Sequence, residues 1–581
     1  MNDFFINKVV NIKQNLPHPA TDPMENLKNL MLNRKCNFNL HAVHPDTVLK
    51  IISSLKNSKS CGLDYIDTYV LKLVKEEVTP AITHIVNISI RSSIFPTQWK
   101  TSKVIPLHKK EDPLNPSNYR PVAILPITSK VLERVIFCQI VEYFDQNQLF
   151  HPNHHGFRAG HSTCTALLQM YDSWIEALEQ GEMTGVCLLD MSAAFDVVSH
   201  NLLVDKLTLY GFTDTARSWM ESYLEGRSQC VYVDGSFSST LRVSTGVPQG
   251  SILGPLCYVI FTNDLPEVIH SGETHHNQDH QFNMHCSTCG GMCCFADDST
   301  LSISGKTTDA LTEKLSSSYK QVSEYMTSSE LKLNDDKTHL LLMTTAQKRK
   351  RLVQEPQIIA SNDIIQVSKS EKLLGITIHE NMKWAEYILH DEKSLTSQLS
   401  LRLNGLKKIS KAASFKSRLT IANGIFMSKL IYCIPLWSGC EIYLLQILQK
   451  IQNRAARVVT RSSWDTPIKK LLQQCGWLSV AQLSVYHSLV QMYKILQNKS
   501  PRYLHQKITN QGRFPYPTSS ANMNLIRMGP EFKTDRSITN NSFRWRTSKL
   551  WNQLPVQTRE IPKLYKFKQK LKIWVREKIK I

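Results

Sequence analysis

The sequence has little cysteine, no long apolar run and no leader-like start, and each of these absences excludes a class of protein. Only 14 of the 581 residues are cysteine, and most stand singly in apolar segments, which indicates reduced, buried thiols rather than a disulfide framework. No apolar run approaches the ~18 residues that a membrane-spanning helix needs. The first residues lack the basic segment and cleavage site of a signal peptide. We therefore expect an intracellular chain that has no membrane partner.

Acidic residues are scarce in the last third of the chain. Residues 401–581 contain 33 Lys plus Arg and 6 Asp plus Glu, whereas residues 1–400 contain 36 and 43, and the whole chain has a net charge of +20. This asymmetry is typical of a nucleic-acid-binding region next to a more neutral domain. A merely solvated basic surface is the alternative.

The spacing over residues 441–461 predicts a helix with two stripes, because residues that recur at ~100° share one face. The apolar stripe consists of Leu444, Ile447, Leu448, Ile451, Ala455 and Val458. The basic stripe consists of Lys450, Arg454, Arg457 and Arg461. Like charges at this spacing repel unless an anion neutralises them, and a phosphate backbone does so. We predict that the basic stripe binds nucleic acid, and that the lysine-rich segment 563–580 is a docked helix with a solvated basic face.

Secondary-structure signals divide the chain into three parts. Residues 1–89 have the pattern of a helical extension, and residues 90–378 mix short strands, helices and turns. From about residue 186 the alternation of strands, helices and hairpins predicts an α+β fold with a mainly antiparallel sheet. Residues 379–581 have a mostly helical pattern.

Three aspartates stand where strands end. The apolar run VCLLD ends at Asp190, and FADD places Asp297 and Asp298 between two further β-like runs. If these strands are neighbours, three carboxylates converge, and such hard oxygen ligands suit Mg²⁺. Two ions roughly 4 Å apart can then serve phosphoryl transfer. The glycine-rich segment 244–255 lies between the acids and allows a close backbone approach to a ligand.

The order of these motifs resembles a known enzyme family. DMSAAFD, TGVPQGSILGP and FADD, preceded by NYRPVAIL and followed by LKLNDDKT and KLLGITIHENMKW, are similar to the ordered motifs of a reverse transcriptase. The greatest similarity is to the polymerase of non-LTR (LINE-type, jockey- and CR1-like) retrotransposons. It covers about residues 55–385 strongly and extends more weakly to the end of the chain.

This resemblance implies an RNA-directed DNA polymerase with a right-hand fold. It implies fingers over about 90–185, a palm over about 186–378, and then a helical thumb and a basic C-terminal region. The implied reaction extends a primer 3′-hydroxyl with deoxynucleotides on an RNA template, assisted by two Mg²⁺ ions, for which Mn²⁺ could substitute. The implied partners are template RNA, DNA primer, dNTP and element RNA in a ribonucleoprotein, in the nucleus and cytoplasm.

The resemblance also implies roles for individual residues. Asp190, Asp297 and Asp298 would be the catalytic, metal-binding carboxylates. Phe195 would be a steric gate against a ribose 2′-hydroxyl, and Arg120, Gln249 and Lys337 would contact the incoming nucleotide. Each of these last three is a donor or cation suited to a polyphosphate. A helix-capping role for Gln249 and a solvated-turn role for Lys337 remain open.

The chain departs from the family pattern in three ways. Phe295 stands where a tyrosine is common, which preserves aromatic packing and removes a hydroxyl. The insert 270–294 is rich in His and Cys, and Cys286 and Cys289 have zinc-ligand spacing, but no second pair is regularly spaced and a flexible loop is favoured. Elements of this type usually carry an endonuclease upstream, but fewer than about 60 residues precede the similarity here, so we expect the chain to be a truncated copy or one part of a longer element. The alternatives are an intron-encoded reverse transcriptase and maturase, and a catalytically dead RNA-binding relic.

Overall fold

Five helices form the N-terminal part of the chain. The computed structural model describes residues 1–17, 21–109, 112–270, 291–352, 354–360, 363–509 and 542–579. The first helices are α1 (Asn2–Gln14), α2 (Glu25–Met31), α3 (Pro45–Ser54), α4 (Thr68–Leu73) and α5 (Lys75–Ser92).

Strands and helices alternate over the next three hundred residues. They are β1 (Thr101–His108), β2 (Tyr119–Ile124), α6 (Ile127–Gln146), α7 (Thr163–Glu179), β3 (Met183–Leu189), α8 (His200–Leu209), α9 (Asp214–Leu224), β4 (Arg227–Val233), β5 (Ser236–Phe237), β6 (Leu241–Val243), α10 (Leu253–Phe261), β7 (Gly291–Phe295), β8 (Asp298–Gly305), α11 (Thr308–Ser328), β9 (His339–Met343), α12 (Ala346–Arg349), β10 (Ile358–Ala360), β11 (Asp363–Ile365), β12 (Val367–Ser368), β13 (Ser370–Leu373) and β14 (Ile376–His379).

The rest of the described chain is helical. Its helices are α13 (Leu395–Ser410), α14 (Phe415–Ile421), α15 (Ser428–Leu430), α16 (Ile434–Trp437), α17 (Ile442–Thr460), α18 (Ile468–Gln474), α19 (Val480–Asn498), α20 (Arg502–Thr509), α21 (Phe543–Asn552), α22 (Val556–Arg559) and α23 (Leu564–Lys578). Among the described helices, none is both long and apolar enough to cross a membrane. The prediction of a fold that mixes helices with sheets is confirmed.

The central sheet has the strand order β12-β9-β3-β8-β7. β3 pairs antiparallel with both β8 and β9, and β7 pairs antiparallel with β8, whereas the short β12 runs parallel to β9. Side chains of a strand alternate between its two faces. Cys187 and Leu189 pack in one hydrophobic core, and Val186 packs in another. The central sheet therefore separates two cores.

The N-terminal helices, α6 and α8–α11 build the first core, and α7 and the C-terminal helices build the second. The buried Asp172 on α7 accepts the backbone N–H groups of Phe543 and Arg544 at 2.9 and 3.2 Å. These N–H groups belong to the first turn of α21, where a carboxylate is stabilised by unpaired donors. This contact attaches the far C-terminal region to the helix that covers the sheet.

A second sheet has the order β2-β1-β4-β5, and β6 also pairs with β4. β1 pairs antiparallel with β2 and parallel with β4, so residues 227–243 join the strands near residue 100 rather than the central sheet. Helix α1 lies against this sheet: the Asn2 side chain donates to the Gln229 and Ser239 carbonyls at 3.3 and 2.8 Å.

Two amphipathic helices follow the sequence pattern closely. In α17, Leu444, Leu448, Ile451 and Ala455 are buried, while Ile447 and Val458 are half-buried. In α23, the buried side chains are Phe567, Leu571, Trp574 and Val575. The predicted docked helix in the segment 563–580 is confirmed, and it extends over Leu564–Lys578.

A fully buried ion pair links α8 to the helices behind the central sheet. The Lys206 ammonium donates to Asp264 Oδ1 at 2.7 Å, to the Phe261 carbonyl at 2.7 Å and to Tyr325 Oη at 2.9 Å. Both charged side chains are 0% exposed. Removing one partner of such a pair leaves an uncompensated buried charge, which costs about 3–5 kcal/mol.

We expect Lys206→Met to lower the free energy of unfolding by about 3–5 kcal/mol, because the Asp264 carboxylate loses its cation. A fall in the thermal unfolding midpoint measures this loss. Lys320→Met is the matched control, since that side chain is 79% exposed on α11 and its loss should change stability by no more than about 0.5 kcal/mol. Equal midpoints for the two variants would contradict the expectation.

Candidate active site

The first predicted aspartate follows the central strand of the sheet. β3 ends at Leu189, and Leu189 pairs with Ser299 of β8, so Asp190 stands beside the start of β8. The backbone N–H of Asn334 donates to the Asp190 carbonyl at 2.9 Å. The apolar strand and this bond fix the backbone that carries the carboxylate, which remains 45% exposed.

The other two aspartates lie in the β7–β8 hairpin. Phe295 pairs with Asp298, so Ala296 and Asp297 form a two-residue turn. Ala296 has a φ of +57°, as the first position of a type II′ hairpin turn requires. Because Ser299 pairs with Leu189, the antiparallel register places Asp298 next to Asp190 at the same edge of the sheet.

The carboxylates at this edge of the sheet repel one another. Desolvation, then the charges of Asp297 and Asp190, raise the pKa of Asp298. The buried Tyr258 lies close by, and its pKa is raised by burial and by the charge of Asp297. Negative charges held together in this way favour a cation between them.

Lys337 lies at this edge. Lys337 Nζ is 3.8 Å from Asp190 Oδ2, and Asn334 Nδ2 lies 3.4 Å from the same oxygen. Both residues belong to the LKLNDDKT motif. The sequence predicts a nucleotide contact for Lys337 and no role for Asn334. Its place in that motif is a signal that points to Asn334. Nothing in the sequence, however, indicates that its side chain lies beside Asp190.

The aspartates suit divalent cations by their chemistry. Their oxygens are the hard ligands that Mg²⁺ prefers, and burial, then the charges of Asp297 and Asp190, raise the pKa of Asp298. Within the described part of the chain, however, no three His, Cys, Asp or Glu side chains stand close enough together to hold a metal ion as they are. The fold brings the three residues to one edge without assembling them into a complete ligand set.

The glycine-rich segment packs against the turn that follows Asp190. The N–H groups of Gly246 and Val247 donate to the carbonyls of Val198 and Phe195, both at 2.8 Å. A Cβ on Gly246 would collide with the backbone of Asp196. The close approach of the two segments therefore requires glycine at this position.

Gln249 connects three segments of the site. Its side-chain amide donates to Asp196 Oδ1 at 2.8 Å, and its carbonyl accepts the N–H of Ala123 on β2 at 2.8 Å. The next residue, Gly250, has a φ of +134°, and a Cβ there would collide with the Ala123 carbonyl. The side chain of Gln249 is therefore held in place by Asp196. This bond is not a helix cap, which was the alternative role for Gln249.

Asp196 was not selected from the sequence. Desolvation raises its pKa to about 6, although the Gln249 hydrogen bond and the charges of Lys8 and Arg120 act in the opposite direction. Arg120 is exposed on β2. A cavity of about 260 Å³ lies here, and its lining includes Lys8 of α1, Asp196 and Gln249.

Phe195 lies between other aromatic rings. Its ring centroid is 4.6 Å from that of Tyr258 and 6.3 Å from that of Phe157. The backbone carbonyl of Phe195 is held by Val247. The ring is therefore fixed by packing beside the glycine-rich segment, five residues after Asp190.

A second cleft adjoins Asp298. Its volume is about 390 Å³, and its lining includes Asp298, Leu374, Gly375 and Tyr432. Tyr432 Oη donates to the Leu374 carbonyl at 2.7 Å. The cleft therefore lies between the aspartate edge and the β13–β14 hairpin, which comes from the KLLGITIHENMKW motif.

The basic stripe lies on α17 and at its end. Lys450 and Arg454 are exposed. Arg457 donates to the Trp464 carbonyl at 2.8 Å, and Arg461 donates to the carbonyls of Ser410 and Lys411 at 2.6 and 2.8 Å. Two of the four cations therefore also hold backbone segments in place. Cys286 and Cys289, for which a flexible loop is favoured over a zinc site, lie outside the described residues.

The family model and the relatives that match this chain name the same kind of enzyme. Residues 107–378 match the model of the family described as reverse transcriptase (RNA-dependent DNA polymerase). A probable RNA-directed DNA polymerase from transposon X-element of Drosophila melanogaster is 28% identical over 72% of this chain and 44% of its own length. The RNA-directed DNA polymerase from mobile element jockey of Drosophila funebris is 25% identical over 85% of this chain and 52% of its own length. The chain spans about half the length of these relatives.

The raised pKa of Asp196 predicts a pH-dependent contribution to stability. A carboxyl group whose pKa in the fold, about 6, exceeds its unfolded value of ~3.9 stabilises the fold below the unfolded pKa, and this contribution is lost as pH rises through the folded pKa. We expect the unfolding midpoint of Asp196→Asn, relative to the parent, to increase between about pH 4 and pH 7.

The control for this measurement is Asp214→Asn, because the Asp214 side chain is 91% exposed. Its midpoint should follow that of the parent across the same pH range. A difference between Asp196→Asn and the parent that does not change with pH would refute the assignment.

Proposed function

We propose that the chain is the RNA-directed DNA polymerase of a non-LTR retrotransposon, because residues 107–378 match the model of the reverse transcriptase family. It extends the 3′-hydroxyl of a primer with deoxynucleotides on an RNA template. The observation that carries the proposal is the register of β3, β7 and β8, which brings Asp190, Asp297 and Asp298 to one edge of the central sheet.

The proposed architecture is a right hand. The central sheet is the palm, the sheet of β1, β2 and β4 belongs to the fingers, and the helices from α13 onward form the thumb and a basic C-terminal region. In this division residues 1–89 are an N-terminal extension, 90–378 the reverse transcriptase domain and 379–581 the helical remainder. The contact of β4 with β1 supports the assignment of residues 227–233 to the fingers.

Asp190, Asp297 and Asp298 are the residues that would hold divalent cations, of which Mg²⁺ is the proposed species. Such ions, when bound, neutralise developing charge and activate the attacking oxygen in phosphoryl transfer. Lys337, at 3.8 Å from Asp190, adds a positive charge where the triphosphate would lie. The side-chain amide of Asn334 orients the Asp190 carboxylate, and its backbone N–H holds the Asp190 main-chain carbonyl.

The nucleotide is proposed to lie between the aspartates and the segment that carries Gln249. The Phe195 ring, fixed against Tyr258, would exclude a 2′-hydroxyl and so select deoxynucleotides. Gln249, held by Asp196, would position the base pair, and Arg120 would approach the phosphates from β2. The cleft beside Asp298 and the β13–β14 hairpin would receive the primer end.

The proposed partners are template RNA, DNA primer and dNTP, with the element RNA as a ribonucleoprotein in the cytoplasm and nucleus. The basic C-terminal third would contact phosphate backbones. The relatives reported above are named for a transposon and a mobile element. These names favour a retrotransposon polymerase over an intron maturase, and the presence of all three aspartates favours an active enzyme over a relic.

We expect Asp297→Asn to reduce primer extension at least about 10³-fold while RNA affinity changes by less than about twofold, because only a proposed cation ligand is lost. Extension of a labelled primer on an RNA template, with Mg²⁺ and with Mn²⁺, measures activity, and a filter-binding assay measures affinity. Asp309→Asn, at an exposed position in the first turn of α11, is the matched control and should extend like the parent. Full extension by the Asp297 variant would reject its assignment.

Shortening the proposed gate should relax sugar selection. We expect Phe195→Val to raise the efficiency of ribonucleotide incorporation relative to deoxynucleotide incorporation by roughly 10- to 200-fold, because space opens where the 2′-hydroxyl would lie. The ratio of kcat/KM for the two nucleotides measures it. Phe237→Val, on an exposed strand, is the control. An unchanged ratio in the Phe195 variant would show that this ring is not the gate.

A further inference from the structure

The loop between α17 and α18 presents a tryptophan to solvent. Trp464 is 84% exposed, although ten residues in the chain are tryptophan and several are fully buried. A tryptophan ring can bury 150–250 Å² in a contact. A ring left in solvent on a basic surface is suited to stack on a planar ligand.

The loop holds its backbone in place while the ring stays free. Arg457 donates to the Trp464 carbonyl at 2.8 Å, and the hydroxyls of Ser463 and Thr466 are 3.2 Å apart. The N–H of Ser462 donates to the Arg457 carbonyl at 3.3 Å. A fixed backbone lowers the entropy cost of using the ring as a contact, since less of the loop must be ordered on binding.

The same corner gathers positive charge. Arg461 binds the carbonyls of Ser410 and Lys411, so the ends of α13 and α17 meet where the loop departs. Between residues 395 and 470 there are thirteen Lys and Arg against only Glu441 and Asp465. The exposed cations of residues 407–416 and 454–466 are Lys407, Lys408, Lys411, Lys416, Arg454 and Arg461.

This charge has no protein counter-ion in the described chain. None of the Lys and Arg side chains between residues 395 and 470 makes an ion pair with a carboxylate among the described residues. The cations also oppose one another: burial, then the charge of Arg461, lowers the pKa of Arg418. An external polyanion would relieve this repulsion.

We propose that this corner, residues 407–416 and 454–466, binds single-stranded nucleic acid, with Trp464 stacked on a base and the surrounding cations on its phosphates. The proposal rests on the proposed function and specifies one of its partners. Exposed aromatic rings on a basic surface are the usual means of holding single strands, because every base offers a flat face. In a duplex the base faces are already stacked, so Trp464 would contribute little there.

The test compares a short unstructured RNA with an RNA duplex of equal length by fluorescence anisotropy, using the full chain without nucleotide. We expect Trp464→Ala to weaken single-strand binding by about 5- to 150-fold, the equivalent of one lost stack. Duplex binding should change less than about twofold, and Trp464→Phe should recover most of the single-strand affinity. Tyr69→Ala, at a 53% exposed ring on α4, is the matched control.

A charge variant separates the two parts of the proposed contact. Lys411→Gln with Arg454→Gln should reduce the slope of log affinity against log salt by about 1.4 for single strands, whereas Trp464→Ala should leave the slope unchanged. Single-strand binding by Trp464→Ala equal to that of the parent, or an equal loss on duplex, would overturn the proposal. These assays measure binding alone. A chain that keeps this binding pattern but fails to extend a primer in a separate assay would refute the polymerase function and not this site.

Discussion

The pairing of β3 with β8 is the constraint on which the rest of the structure depends. Leu189 opposite Ser299 places Asp190 beside Asp298, and a slip of one residue would exchange the faces of every side chain on β3. The two faces belong to different cores, with Cys187 in one and Val186 in the other. The packing of apolar side chains on both faces of the sheet therefore determines where the carboxylates stand.

The site contains two kinds of carboxylate, and their surroundings explain the difference. Asp190 and Asp298 stand at an open edge, where their like charges repel and Lys337 lies 3.8 Å from Asp190. Asp196 is turned toward the protein, and it accepts a hydrogen bond from the amide of Gln249. The first kind is suited to external cations. The second serves to orient a neutral side chain, and its pKa of about 6 reflects that desolvated position.

Much of this arrangement could be predicted from local pattern. The apolar run before Asp190 and the turn around Asp297 predicted strand ends, and the spacing of α17 predicted its buried stripe. Contacts between distant segments could not be predicted, because period and propensity are local properties. The bond between Gln249 and Asp196 spans 53 residues, and the bond between Arg461 and Ser410 spans 51. The sequence therefore indicated four equivalent cations where the structure has two that also hold backbone segments.

The position of the central sheet between two hydrophobic cores also affects folding during synthesis. The face of β3 that carries Val186 is covered by a core that includes Phe567 and Val575 of α23. A ribosome that adds ~5–20 residues per second reaches α23 tens of seconds after β3. During that interval one face of the central sheet lacks part of its cover, so the nascent chain exposes apolar surface to chaperones. Synthesis of α23 then becomes a step that must precede the complete burial of this face.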